Sequence, residues 1–307
     1  MSRLDGWEGR DGWQAAPDEA ASLGGGLLLT AQARLREALV YGPAPALPRP
    51  AGWPGTRPGD ALRGLDPALR QQVVLTDLLL GLRLQVEPAC VSLWHGRMHH
   101  QVSAAGLDPA AELALLETKA DLRPERTAEI LAQHGHTTRL WAAILPISPR
   151  RTPWTLELMA AGTAFAAHVV QRVKAVLNQP RPADLSPRIQ PMLPSPGCAG
   201  YPSGHATQAA LLAGLLYVLV SRPASGSGGW GATLKPMLDE LAARIAENRE
   251  IAGLNLPSAS AAGKALGDKL LAALLEAKSQ PVDPQRPQDG HSWAWLWQQA
   301  AAEWGGA

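Results

Sequence analysis

The sequence predicts an all-α fold, a bundle of helices. Two observations carry that prediction: Leu, Val and Ala recur at helical spacing in one segment after another, and no stretch shows the alternating pattern of a half-buried strand. A third is the set of boundary signals, with Pro67 and Pro124 in first turns, Ser203 at a helix start and Gly135 at an end. A chain of 307 residues with 46% hydrophobic residues can bury a substantial core as one large domain or two modest ones.

Residues 1–64 read as an N-terminal arm and Pro-rich linker. One helix fits Leu27 to Leu39, after which the prolines of YGPAPALPRPAGWPGTRPG favour an extended path. Trp7, Trp13 and Trp53 give this arm something to pack against its own core or a partner subunit. The opening MSRLDGWEGRDGW lacks the apolar centre of a secretory signal.

The expected helical domain spans 65–279. Asp66 before Pro67 opens a helix along PALRQQVVLTDLLLGLRLQ, whose Leu and Val residues form a stripe. In SLWHGRMHHQ, read as helical, His95 and His99 stand at the i, i+4 spacing of metal ligands, with His100 beside them. No third ligand sits at a diagnostic distance, so no metal is expected. Helices follow at 108–122, at 123–134 ahead of His134-Gly135-His136, and at about 137–145.

A long Ala-rich amphipathic helix is expected from Leu156 to Leu177, with Lys174 on its last turns. The loop from Pro180 to Tyr201 has no helical pattern, and its length suits a lid or binding loop. Ser203 caps a helix running from His205 to Val220. The apolar run Ala209 to Val220 is too short to span a bilayer and fits a helix buried in protein. Beyond the flexible SRPASGSGGWGA, a helix from Thr233 to Gly253 carries Arg244 and Arg249 near its end, and Ser258 is expected to cap the next, Ala259 to Ala277. The segment 280–307 ends in a Trp-rich helix, in which Trp293 and Trp297 lie one turn apart and share a face suited to docking on the core, with Trp304 beyond them.

Lys and Arg number 28 against 27 Asp and Glu, a net charge of +1, which gives no reason to expect a nucleic-acid or anionic-membrane surface. Any basic site must be local. Cys90 and Cys198 are too far apart in sequence for a disulfide framework and read as reduced thiols of a cytoplasmic protein.

Three short motifs supply such a basic site: KAVLNQPRP (174–182), YPSGH (201–205) and ENREIAGLNLPSA (247–259). Arg181 offers a planar fork matching two oxygens of a phosphate, and Lys174 a mobile point charge. Ser203-Gly204-His205 opens a helix, where free amides and the dipole attract an anion and Gly204 permits close approach. His205 is placed to give up a proton, and Arg249 provides a second fork. Together these residues suit a tetrahedral oxoanion.

The spacing K-x6-RP, PSGH and R-x5 resembles the superfamily of type 2 phosphatidic-acid phosphatases, bacterial acid phosphatases and vanadium haloperoxidases, in its soluble haloperoxidase-like branch, over about Leu156 to Leu271. The resemblance implies that Lys174, Arg181, Ser203, Gly204 and Arg249 bind phosphate or vanadate and that His205 is the general acid. In the family a histidine attacks phosphorus or ligates vanadium, and an aspartate four residues on orients it. This chain has Asn255 and Ala259 there. A carboxamide nitrogen has no available lone pair, so Asn255 neither attacks phosphorus nor ligates vanadium, and no vanadate or other cofactor is expected.

The leading expectation is therefore a pseudoenzyme that keeps its pocket, binds phosphate or a phosphoester-like anion, and acts by binding or through a protein partner or homodimer. Neither nucleic acid nor a membrane span is expected. The alternative is an enzyme with altered chemistry, hydrolysing or rearranging a phosphoester with His205 as acid or base. There, His95, His99, His134 or His136 would fold into the vacant position.

Overall fold

The computed structural model describes residues 62–134, 137–221, 230–279 and 291–305. The expected helix at 27–39, the Pro-rich linker, Trp7, Trp13, Trp53, His136 and the connections 222–229 and 280–290 lie outside the described residues.

Helix α1 (Pro67–Leu80) leads into strands β1 (Leu82–Glu87), β2 (Cys90–His95) and β3 (Met98–Ser103), an antiparallel sheet in the order β1-β2-β3. The molecule is mainly helical, as expected, but this sheet corrects the expectation that no strand is present. The period-two signal is there in hindsight. Leu82, Leu84 and Val86 pair with His95, Leu93 and Val91, which pair in turn with Met98, His100 and Val102, so one face collects the apolar residues. Gly96 at φ +58° makes the two-residue turn with Arg97 that joins β2 to β3. Leucines at 82 and 84 also prolong the helical stripe of α1, which masked the change of period.

The sheet also removes the helical histidine pair. His95 turns inward from β2, 3.0 Å from the Leu78 carbonyl and edge-on to Phe165, and burial pushes its pKa down. His99 lies on β3 and stacks on Trp94 at 4.8 Å. The i, i+4 spacing had meaning only on a helix.

After the sheet come α2 (Pro109–Lys119), a 3-10 turn (Ala120–Leu122), α3 (Arg123–Ala132), α4 (Thr138–Trp141), α5 (Pro153–Leu177), α6 (Pro182–Leu185), α7 (Gly204–Val220), α8 (Trp230–Ile251), α9 (Pro257–Ala277) and α10 (His291–Ala302). Two expectations are corrected here. The helix at 137–145 is one turn followed by turns, and the loop after Pro180 holds the one-turn helix α6, started by Pro182 at its first position.

Helix α7 is the hub. Its sequence GHATQAALLAGLLYVLV is apolar on every side, so it packs on α5, α8 and α9 at once. Among the described residues no helix is long and apolar enough to cross a membrane. Helices α7 and α9 approach closely because α9 has glycines one turn apart. A Cβ on Gly263 would stand 2.4 Å from the Ser203 carbonyl oxygen, and one on Gly267 2.4 Å from that of Thr207. These contacts fix the start of α7 against the start of α9, where two of the three motifs lie.

Helix α10 closes the core. Trp293 and Trp297 are both buried, and the Trp293 indole donates to the Leu274 carbonyl at 2.9 Å. An aromatic side chain of this size buries about 150–250 Å2, roughly 4–6 kcal/mol of transfer free energy. Just past α10, Glu303 accepts from the Trp154 and Thr155 amides at 2.8 and 2.9 Å, placing a carboxylate on the positive end of α5.

Candidate functional site: a buried cationic cluster

Lys174 lies near the end of α5, and the helix stops at Asn178, whose left-handed φ of +42° ends it ahead of Pro180. The side chain is buried, and its Nζ donates to the Ala199 carbonyl. Burial is the main reason that its pKa falls to about 8, assisted by the charges of Arg181 and Arg249 and opposed by Cys198.

Arg181 sits before Pro182, held extended at φ −86° and ψ 162°. Its guanidinium donates from Nε to the Cys198 carbonyl (2.8 Å), from Nη1 to the Leu254 carbonyl (2.9 Å) and from Nη2 to Cys198 Sγ and the Ala199 carbonyl (both 3.3 Å). Four of the five N–H groups are thus engaged by the protein. Arg181 brings positive charge to the site and also staples the loop before YPSGH to the turn within the third motif that carries Leu254 and Asn255.

Arg249 differs. It is 4% exposed, and its Nε and Nη1 have no hydrogen-bond partner among the described residues. No carboxylate pairs with it among the described residues, and burial followed by the charge of Arg181 lowers its pKa to about 10. A buried guanidinium without partners costs several kcal/mol in general, so its position must be imposed from elsewhere. Helix α8 ends in a Schellman turn: Gly253, at φ +72°, donates to the Glu250 carbonyl, and Leu254 to that of Arg249 at 2.9 Å. Lys119 pairs with Glu250, and Arg123 Nε donates to the Ile251 carbonyl at 2.9 Å. These clamps hold Arg249 in place.

Ser203 accepts from the Ala206 amide at 3.4 Å as the cap of α7, and gives its own amide to the Ala259 carbonyl at 2.9 Å. The amides of Gly204 and His205 have no acceptor among the described residues. A Cβ at Gly204 would meet only Val170, at 3.7 Å, so room is left beside these amides. Tyr201 anchors the motif to the sheet, its hydroxyl donating to the Ser103 carbonyl at 2.7 Å.

His205 is partly buried near the Gln133 backbone carbonyl. Burial first, then the charges of Arg249, His134 and Arg181, push its pKa down to about 3, although the Gln133 carbonyl works the other way. The ring is neutral near pH 7. A general acid would need its proton affinity raised by an incoming negative charge.

Asn255 is buried, with Nδ2 donating to the Gly200 carbonyl at 2.9 Å. An amide nitrogen turned to a carbonyl offers nothing to a metal, so the donor set does not fit vanadium. Ala259 is buried and borders a mainly apolar cleft lined in part by Leu107, Pro182, Leu185, Tyr201 and Leu256. Ser258 does not cap α9 as expected. The cap position is Leu256 with Pro257 next; the Ser258 amide is taken by Glu112 of α2 at 2.8 Å, and the Ser258 hydroxyl has no partner among the described residues.

Lys174 and Arg181 share the Ala199 carbonyl, Arg181 reaches the Leu254 carbonyl in the turn that follows Arg249, and the charge of Arg249 acts on both Lys174 and His205, so residues of all three motifs form one cluster. Sequence reasoning missed Cys198, whose thiol touches Arg181; its place three residues before Tyr201 was the available signal. No family model matches the chain, and no curated protein matches it. It is similar to the crystal structure of the first transmembrane PAP2 type phosphatidylglycerolphosphate phosphatase from Bacillus subtilis, at 14% identity and a TM-score of 0.45, covering 57% of this chain and 88% of that one. A likeness that distant leaves the function of this chain to be argued from its own residues.

Proposed function

We propose that the chain is an oxoanion-binding protein built on the phosphatidic-acid phosphatase and haloperoxidase plan, with the anion pocket kept and the attacking imidazole replaced. The observation that carries this reading is Arg249: a guanidinium 4% exposed, with Nε and Nη1 unpartnered, beside two further buried cations. Phosphate or a phosphomonoester would satisfy those donors and the amides of Gly204 and His205, and would offset charge whose burial is otherwise unfavourable. With its amide holding the Gly200 carbonyl, Asn255 does not take a phosphoryl group in the manner of the family's histidine. The protein then acts by binding, alone or with a partner.

Calorimetric titration with phosphate, sulfate and vanadate tests the reading. Saturable binding that Arg249→Gln abolishes, with no turnover of a chromogenic phosphomonoester, is the expected result. Absence of binding in the wild type overturns it. Turnover lost in His205→Ala would favour altered chemistry instead.

A further inference from the structure

Among the described residues, the side chains able to carry negative charge that contact Arg181 are Cys198, at its guanidinium, and Asp184, whose carboxylate accepts the Arg181 backbone amide. Its Sγ lies 3.3 Å from Arg181 Nη2 and 3.9 Å from Gln171 Nε2, and the Lys174 ammonium acts on it. The residue is partly exposed and its neighbours Ser195, Pro196, Gly197 and Gln171 are exposed, so reagents reach it from solvent. Its own carbonyl accepts from Arg181 Nε at 2.8 Å, which fixes the backbone that presents the thiol. Independently of the cysteine, Arg249, whose guanidinium Nε and Nη1 have no partner among the described residues, belongs to the turn that Arg181 grips: the Leu254 amide donates to the Arg249 carbonyl, and the Leu254 carbonyl accepts from Arg181 Nη1. The cluster is short of negative charge on both sides.

We propose that Cys198 is a readily ionised thiol built into the edge of the oxoanion site, whose thiolate form competes as an internal anion with an incoming oxoanion for Lys174 and Arg181 and makes this loop a target for electrophilic modification. The inference rests on the oxoanion reading for its competitor, and on the Sγ to Arg181 contact for the thiolate. Burial works against ionisation, but Lys174 and the Arg181 hydrogen bond outweigh it and lower the thiol's pKa. With an alkyl iodide the step balances simply: the sulfur lone pair forms the S–C bond, iodide leaves, and no redox partner is needed. The product is a neutral thioether, which has lost the charge that Lys174 and Arg181 were facing.

The groups facing the thiol are Lys174 and Gln171 from α5 and Arg181 from the segment before α6. Cys90, on β2, is an internal control within the same chain. The experiment is alkylation of the full chain with iodoacetamide from pH 5.5 to 9.5, each cysteine followed separately by peptide mass spectrometry, with and without phosphate. Cys198 is expected to react at least tenfold faster than Cys90 at pH 7, to slow several-fold in saturating phosphate, and to lose its advantage in Arg181→Gln. If that variant does not fold, Lys174→Met serves for the same comparison. Cys198→Ala is expected to bind phosphate several-fold more tightly by calorimetry.

Phosphate binding that leaves Cys198 no more reactive than Cys90 overturns the thiolate and spares the oxoanion site. Fast alkylation of Cys198 in a protein that binds no phosphate overturns the oxoanion site and the competition with it. Unchanged phosphate affinity in Cys198→Ala also ends the proposal of competition.

Discussion

Arg181 Nη1 donates to the carbonyl of Leu254 at 2.9 Å, joining the first motif to the loop that carries Asn255. Through this bond and those to Cys198 and Ala199, one side chain sets the separation between the two halves of the site. The Arg249 guanidinium, by contrast, contributes charge, and its Nε and Nη1 have no partner among the described residues.

Replacing Arg249 is therefore expected to separate stability from binding. Arg249→Met keeps length and apolar contact and removes an unpartnered buried charge, so urea denaturation should show a gain of about 1–3 kcal/mol. Anion binding should vanish in the same variant. A loss of stability would mean that the guanidinium already has a partner.

Lys174 predicts an alkaline dependence. With its pKa lowered from 10.5 to about 8, the native state sheds this proton before the unfolded chain does. The cost of burying the ammonium is full below pH 8, declines between 8 and 10.5, and is gone above. The stability advantage of Lys174→Met over wild type, roughly 1–3 kcal/mol at pH 7.5, should shrink toward zero by pH 10.5. Sulfate, which stays a dianion throughout, should bind the wild type more weakly as pH rises above about 8.

His205 works in the acid range. Because its pKa falls to about 3, the unfolded chain takes up a proton between pH 6.5 and 3 before the native state does, and stability from this group is lost as pH falls through that window. A bound dianion reverses part of the shift. Titration with sulfate at pH 5.5, in buffers of different ionisation heat, should reveal net proton uptake that His205→Asn abolishes.

The fold was legible where one period ruled. α5 and α7 were readable because a long amphipathic stripe and a continuous apolar run each have one good solution, a surface-facing helix and a central one. The sheet at 82–103 was hidden because leucines at 80, 82 and 84 satisfy the end of a helix and an alternating strand alike, and only Gly81 and Gly96 argue for the change. In the site, residue types were readable and their partners were not. That Arg181 spends most of its donors on carbonyls, or that Glu112 takes the Ser258 amide, depends on contacts 73 and 146 residues apart in sequence.

Two glycine substitutions test the α7–α9 seam. Gly267→Ala puts a Cβ 2.4 Å from a backbone oxygen of Thr207, which has nowhere to turn, and should cost about 2–3 kcal/mol with a matching fall in Tm. Gly214→Ala meets Leu271 Cδ2 at 2.1 Å, the end of a side chain that rotates, and should cost about 1 kcal/mol. Equal costs would place the backbones farther apart.

Asn255→His combined with Ala259→Asp is expected to create slow hydrolysis of a chromogenic phosphomonoester, detectable in neither single variant nor wild type. Ala259 borders the cleft, and position 255 follows Leu254, whose carbonyl accepts from Arg181, and donates its amide to the Arg249 carbonyl. Silence in a folded double variant would show that the pocket no longer positions phosphorus.

The Ala199 carbonyl oxygen accepts from both Lys174 and Arg181. It stands where a guest oxygen would satisfy the same two donors, so the backbone itself acts as a placeholder. A shift of that peptide by a couple of ångströms would unlatch an ammonium and a guanidinium N–H together, and arrival of the guest and movement of the strap before Tyr201 become a single event.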